Sequence, residues 1–280
     1  MGIALGVCAV LRNEADNLPG VFQVLEALEC YSEVDQVVYS FYENDSTDRS
    51  VSLLTDWLCG RTYSCISEVL GLPHWRSEER QRTQLLATAR NAALRRLMQR
   101  PIDYVLIMDV DLEFSAGDCY RLIDVLQCHP SAAMVCASSI QPLVAIDTGS
   151  PWSYYDSWAL IDRFDQRGLS GLAIPFLNHQ DRECWMAAQP VPVHSAFGGL
   201  AVVRTSVLRQ HNVAWNGDAG CEHWAFCAQV RQGGSVLVVP DVQPRVKTDP
   251  AELGLHPDYI QGVRDLLHQS GVNAAFDAKP

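Results

Sequence analysis

Apolar and polar positions alternate along the first half of the chain in two textures. Residues 3–11, IALGVCAVL, form a nearly unbroken apolar run; polar RNEADNLPG follows, and VFQVLEALECY then carries its apolar residues at helical spacing. DQVVYSFYENDSTDRSVSLLTDWL repeats the scheme, with β-branched and aromatic residues, a polar loop rich in helix-capping types, and a helix. From Ser77 to Arg100 the pattern predicts a helix with Leu85, Ala89, Ala92, Ala93 and Leu97 on its buried face, and YVLIMDV supplies the next strand. Such alternation predicts an α/β fold: a doubly wound, mostly parallel sheet with helices on both faces. Sheets of this kind take ligands beyond the carboxyl ends of their strands, where RNEADN, YENDSTD and DVDLE all fall.

After about residue 140 the texture changes. SSIQPLVAIDTGSPWSYYDSWALIDRF is rich in aromatics and turn residues, and 168–194 shows little periodicity, which predicts a loop-rich half. SAFGGLAVVRTSVL reads as a glycine-marked strand and helix start, CEHWAFCAQVRQGG as a short helix, SVLVVPDVQP as a last strand, and the final 30 residues as one amphipathic helix with a frayed end. The expected division is 1–140, 141–250 and 251–280.

Composition narrows the function. The chain has 280 residues, enough for one large core, and 21 basic against 33 acidic residues give a net charge of −12, which argues against a nucleic-acid partner. No apolar run approaches the ~18 residues of a membrane span, and the first Arg follows rather than precedes the leading apolar stretch; the expectation is a soluble cytoplasmic protein, with peripheral membrane contact left open. Ten Cys without a C-x-x-C pair suit reduced thiols.

YVLIMDVDLEF ends a buried strand on two carboxylates, Asp109 and Asp111. Their repulsion and desolvation are relieved by a hard divalent ion, Mg²⁺ or Mn²⁺, that keeps positions open for phosphate oxygens; the alternative is one turn cap and one solvated Asp. Glu43, Asn44 and Asp45 can accept hydrogen bonds from a base or ribose, while Ser46 and Asp48 suit a helix cap. Arg90 and Asn91 lie on the helix before the D-x-D strand, with Arg82 two turns earlier, and arginine suits bidentate phosphate contact.

RNEA, ENDSTD, ARN and DVD, followed in order by CYRLIDVL, AAMVCASS, YYDSWALIDR, VHSAFGGLAVVR and CEHWAFC, resemble a GT-A glycosyltransferase of the cryptococcal capsule-type mannosyltransferase family and its viral and bacterial relatives, over roughly residues 3–245. The resemblance implies a single GT-A domain that moves a sugar from a nucleotide-diphosphate donor to a hydroxyl of a glycan or glycoconjugate, as in polysaccharide biosynthesis. It puts Asp45 or Glu43 on the nucleoside, Arg90 on the diphosphate, and Asp109 with Asp111 on the metal, Asp111 as the direct ligand. Arg12, Asn44, Arg82 and Asn91 join the donor set, and Gly198 and Gly199 would form a strand beside the donor sugar. Because the first metal Asp and His223 differ from the fungal members, the choice between a UDP- and a GDP-sugar is not carried over.

Glu222 is the leading general base, with Asp218 next; a retaining enzyme would leave Glu222 to orient the acceptor, and a charge favoured at a helix N-terminus is the plain alternative. His223 is a candidate late metal ligand and His194 a second; with Cys227 one turn on, His223 lacks the further ligands a zinc site requires. Tyr155, Asp156 and Trp158, with Trp152 and Tyr154, either stack on acceptor sugars or form core. Phosphatase and nucleotidyltransferase readings fail on motif position. A non-catalytic, metal-dependent sugar- or nucleotide-sugar-binding protein is the remaining alternative.

Overall fold

The computed structural model describes residues 2–73, 80–247 and 254–272. The first half alternates as the pattern predicts: β1 (Ile3–Leu11), α1 (Leu18–Glu29), β2 (Val34–Asn44), α2 (Ser50–Leu58), β3 (Tyr63–Glu68), α3 (Arg80–Leu97) and β4 (Tyr104–Asp109). Strand β3 escapes the hydrophobic pattern because it lies at a sheet edge with none of its residues buried. The second half contains β5 (Leu112–Glu113), α4 (Ala116–Cys128), β6 (Ala132–Ala137), β7 (Ile140–Gln141), β8 (Ser153–Tyr154), β9 (Ile161–Asp162) and α5 (His179–Met186). It ends with β10 (Val191–Ser195), β11 (Leu200–Arg204), α6 (Thr205–Gln210), α7 (Glu222–Val230), β12 (Ser235–Val239), β13 (Arg245–Val246) and α8 (Pro257–Gln269). The start of the expected helix at Ser77 and the expected frayed end lie outside the described residues.

One nine-stranded sheet, ordered β3-β2-β1-β4-β11-β6-β12-β10-β9, carries strands from both halves. Only β11 and β10 run against the other seven, so the sheet is mostly parallel. The chain winds outward from β1 to β2 and β3, then crosses back to β4 on the other side of β1. The carboxyl ends of β1 and β4 therefore flank the point where the winding reverses, with Val10 in register with Asp109. Val105 and Ile107 of β4 enter the core shared with α3 and α7, while Leu106 and Met108 enter the core under α1, α2 and α4. Burial on both faces is why YVLIM reads as an unbroken apolar run. A second sheet, β5-β13-β7-β8, fastens the chain just past Asp111, where β13 pairs with β5.

The second half is more ordered than its sequence texture suggests. Helix α5 falls within the stretch expected to be loop; Asn178 caps it by accepting from the Asp181 amide. Buried Arg182 on α5 pairs with Asp147 at 3.0 Å and donates to the carbonyls of Ile174 and Phe176. Helix α8 packs Val263 and Leu267 onto Ile146 and Leu172. Among the described residues no helix is long and apolar enough to cross a membrane.

Candidate active site

A cleft of about 190 Å³ opens beyond the carboxyl ends of β1 and β4. From the expected donor and metal sets it gathers Arg12, Asn44, Arg82, Arg90, Asp109 and Asp111. Tyr155 of the acceptor set also lines it, as does Glu14, for which the sequence suggested no role although it stands within RNEA.

Much of the polarity in the strand-end loops ties one loop to another. Asn13 and Asp45 both adopt left-handed backbone (φ 59° and 56°), a conformation Asn and Asp tolerate better than other side-chain-bearing residues. Asn13 accepts from the Thr47 amide, Ser50 from the Glu14 amide and Asp48 from the Ala15 amide, joining the loops after β1 and β2. Glu43, expected at the nucleoside, is buried and accepts from the Ser46 amide and the Ser67 hydroxyl instead. Asp45 accepts from the amides of Leu70, Gly71 and Leu72, so its carboxylate anchors the loop after β3. Its pKa is held low by the Asn44 amide first and by these backbone donors after it. Arg12 grips the same loop from the other side, through the carbonyls of Leu72 and Pro73.

The two candidate arginines on α3, Arg90 and Arg82, have opposite surroundings. Arg90 is 4% exposed, donates to Asp109 at 2.8 Å, lies 3.5 Å from Glu222 and covers the Phe197 ring at 4.9 Å. Burial would lower its pKa, but Asp109 and Glu222 raise it further. Arg82 lines the cleft beside Asp111 and, among the described residues, forms no ion pair and donates no hydrogen bond. Arg90, expected at the diphosphate, lines the cleft while pairing with Asp109, whereas Arg82 lines it with no ion pair among the described residues.

The carboxylates differ in the same way. Asp109 is neutralised by Arg90, whereas among the described residues no Lys or Arg forms an ion pair with Asp111. Burial, then the charges of Asp109 and Glu14, push the Asp111 pKa up to about 7. Glu14 is raised as well, first by burial and then by Asp109, against the lowering effect of its bond from Asn17.

Several expected site residues lie outside the cleft. Glu222 is 3% exposed behind Arg90 and does not line the cleft, so it is not placed as a general base. Asp218 is exposed and bound to Gln84 at 2.7 Å and Arg80 at 3.1 Å, contacts that lower its pKa in that order. Asn91 spends both ends of its amide on the backbone of Trp215. His223 is buried, stacked 4.0 Å from the Phe197 ring, with Nδ1 3.4 Å from the Trp215 indole nitrogen and Nε2 3.5 Å from Glu222. Burial and then Arg90 hold its pKa well below the usual value. Neither His223 nor His194, which pairs with Asp165 at 2.6 Å, lines the cleft as a metal ligand would.

Gly198 and Gly199 form a turn before β11 rather than part of the strand. Their left-handed backbone comes within reach of Ala137 and Leu112: a Cβ on Gly198 would lie 2.2 Å from the Ala137 carbonyl. Packing against Ala137 and Leu112 by itself requires glycine at both positions. The Gly198 amide donates to Asp156, which also accepts from Ala159. Burial pushes the Asp156 pKa up to about 6 against the lowering effect of those two bonds. Trp158 packs against the core, and its carbonyl accepts from the Trp224 indole.

Among the described residues no three His, Cys, Asp or Glu side chains cluster as a protein-only metal cage. Asp111 and Asp109 nevertheless fit a hard cation that takes oxygen ligands and completes its shell with diphosphate oxygens and water.

The family described as Cryptococcal mannosyltransferase 1 matches residues 7–230. Among curated proteins no sequence relative matches. Among solved structures, S. aureus TarS 1–349 in complex with UDP-GlcNAc is 13% identical with a TM-score of 0.51, covering 99% of this chain and 68% of its own. The mannosyltransferase PcManGT from Pyrobaculum calidifontis, in complex with GDP-Man and Mn²⁺, is 14% identical with a TM-score of 0.50, covering 99% and 71%. Against the longer TarS chain this protein spans 41% of the length. At these identities the likeness is one of fold, and the fold is that of GT-A enzymes. Matched over most of its length by the family, the chain belongs to the Cryptococcal mannosyltransferase 1 family of glycosyltransferases.

Proposed function

We propose that this chain is a metal-dependent hexosyltransferase that uses a UDP- or GDP-sugar and transfers the sugar to a hydroxyl of a glycan or glycoconjugate. One observation carries the reading: Asp111 and Arg82, neither of which forms an ion pair among the described residues, line the same cleft at the switch point of the sheet. Asp111, with Asp109 beside it, would hold Mn²⁺ or Mg²⁺, which when bound supplies Lewis-acid stabilisation of the leaving diphosphate. Arg82 binds the diphosphate and neutralises the charge it gains as the glycosidic bond breaks. Arg12 and Asn44, with the loop at 70–73 that Arg12 and Asp45 fix, enclose the nucleoside end. Tyr155 borders the acceptor side, and Asp156 holds the Gly198 turn in place beneath it. The setting we propose is polysaccharide assembly in the reducing cytoplasm, where ten unpaired cysteines remain thiols.

Because the two structural neighbours were solved with UDP-GlcNAc and GDP-Man, these are the first donors to test. The expected result is release of UDP or GDP that requires Mn²⁺ or Mg²⁺, stops with EDTA and increases with a glycan acceptor. Nucleotide binding without release, across UDP- and GDP-sugars and a panel of acceptors, would contradict the proposal and favour a sugar-nucleotide-binding protein.

A further inference from the structure

We propose that Glu222 is a positioning residue that acts through Arg90 to fix Asp109, the first carboxylate of the D-x-D pair, for donor binding. The inference rests on the donor-site reading above. Glu222 begins α7, Arg90 lies on α3 and Asp109 ends β4, so one guanidinium joins three elements. Its Nη2 lies 2.8 Å from Asp109 and its Nε 3.5 Å from Glu222. The hydrogen bond to Asp109 on one side and the ion-pair contact with Glu222 on the other favour one orientation of the planar guanidinium, with Nη2 toward Asp109. The Phe197 ring covers one face of the group and is itself stacked on His223, the residue after Glu222.

Burial separates this role from that of a base. A general base must come within hydrogen-bond reach of the acceptor hydroxyl, about 2.6–3.2 Å. Glu222 is 3% exposed and does not line the cleft; its only cationic neighbours among the described residues are Arg90 and, when protonated, His223. In this structure its contact runs to Asp109 through Arg90 rather than to the cleft wall. Lysine in place of Arg90 would carry the charge but offers a single point donor that cannot span both carboxylates.

The test is a double-mutant cycle read by calorimetric binding of UDP and GDP with Mn²⁺, on wild type, Glu222→Gln, Arg90→Lys and the double variant. Glu222→Gln is expected to weaken metal-dependent affinity about tenfold when Arg90 is intact. In the Arg90→Lys background the same change is expected to cost less than about twofold, since the link it acts through is already broken. Wild-type affinity in Glu222→Gln with loss of transfer would make Glu222 a base and overturn the inference. So would an equal loss in both backgrounds, or a lowered melting temperature with unchanged affinity, which marks a purely structural role. If Glu222→Gln does not fold, Glu222→Asp takes its place, with a smaller loss expected when Arg90 is intact and the same absence of effect in the Arg90→Lys background. Absence of metal-dependent binding in wild type would be a different failure, that of the donor-site reading itself.

Discussion

The two halves of the chain are held together by different physics. In residues 1–140, β1, β2 and β4 are buried on both faces, and helices cover them with apolar stripes. Charged groups there gather at the strand ends and on the facing turn of α3, where Asp111 and Arg82 form no ion pair among the described residues. Between 142 and 190 the chain makes only β8, β9 and α5, and buried polar ties add to the packing: Arg182 to Asp147, Asp156 to the Gly198 amide. In the first half, a charged side chain that lines the cleft without an ion pair is a candidate for a ligand, while in the second half a buried one more often replaces missing secondary structure. Arg90 and Glu222 join the two schemes, an ion pair of the second kind placed against a carboxylate of the first.

Breaking a tie of the second half should have the largest effect on stability and little on donor binding. Arg182→Ala leaves Asp147 buried and unpaired, and should cost about 3–5 kcal/mol by urea unfolding. The folded fraction should still bind nucleotide with wild-type affinity. Arg82→Ala should do the reverse, lowering metal-dependent nucleotide affinity by roughly 10–100-fold with no change in melting temperature. A loss of stability with unchanged affinity would return Arg82 to the ordinary solvated arginines.

Asp156 gives a pH signature. Its folded pKa, about 6, lies above the unfolded value, so the folded state holds the proton more tightly and stability falls as pH rises from about 4 to about 6. Asp156→Asn removes that slope. The difference between wild type and variant should change by on the order of 2 kcal/mol between pH 4 and pH 7, in the variant's favour at pH 7, and remain constant above it. The smallest effect is expected at Asp218: Asp218→Ala breaks only exposed contacts and should leave transfer within about twofold of wild type. A large loss there would restore Asp218 as a base.

The fold was legible because period-2 and period-3.6 burial leave a trace in the order of apolar residues: β4 alternates between two cores, and α3 buries Ala87, Ala89 and Ala93. Strand β3 and helix α5 left weaker traces, one because it is an exposed edge, the other because it buries Asp181 and Arg182 as well as Trp185. Within the site, sequence identified the right loops but could not tell which polar groups face inward. Glu43 and Asp45 are committed to amides, and Asn91 to Trp215. Partners of that kind come from loops distant in sequence and have no local signature. The different surroundings of Arg82 and Arg90 are the same lesson, since both stand on one helix and only their neighbours distinguish them.

The central claim is that Asp111 makes this cleft a metal-dependent nucleotide site. The direct measurement is calorimetric binding of UDP and GDP, each with and without Mn²⁺, to wild type and Asp111→Ala. The account predicts that one nucleotide binds wild type only with Mn²⁺, and that Asp111→Ala loses this binding while melting at or above the wild-type temperature at pH 7, because a carboxylate strained by burial and by Asp109 has been removed. Metal-dependent affinity unchanged in Asp111→Ala would contradict it.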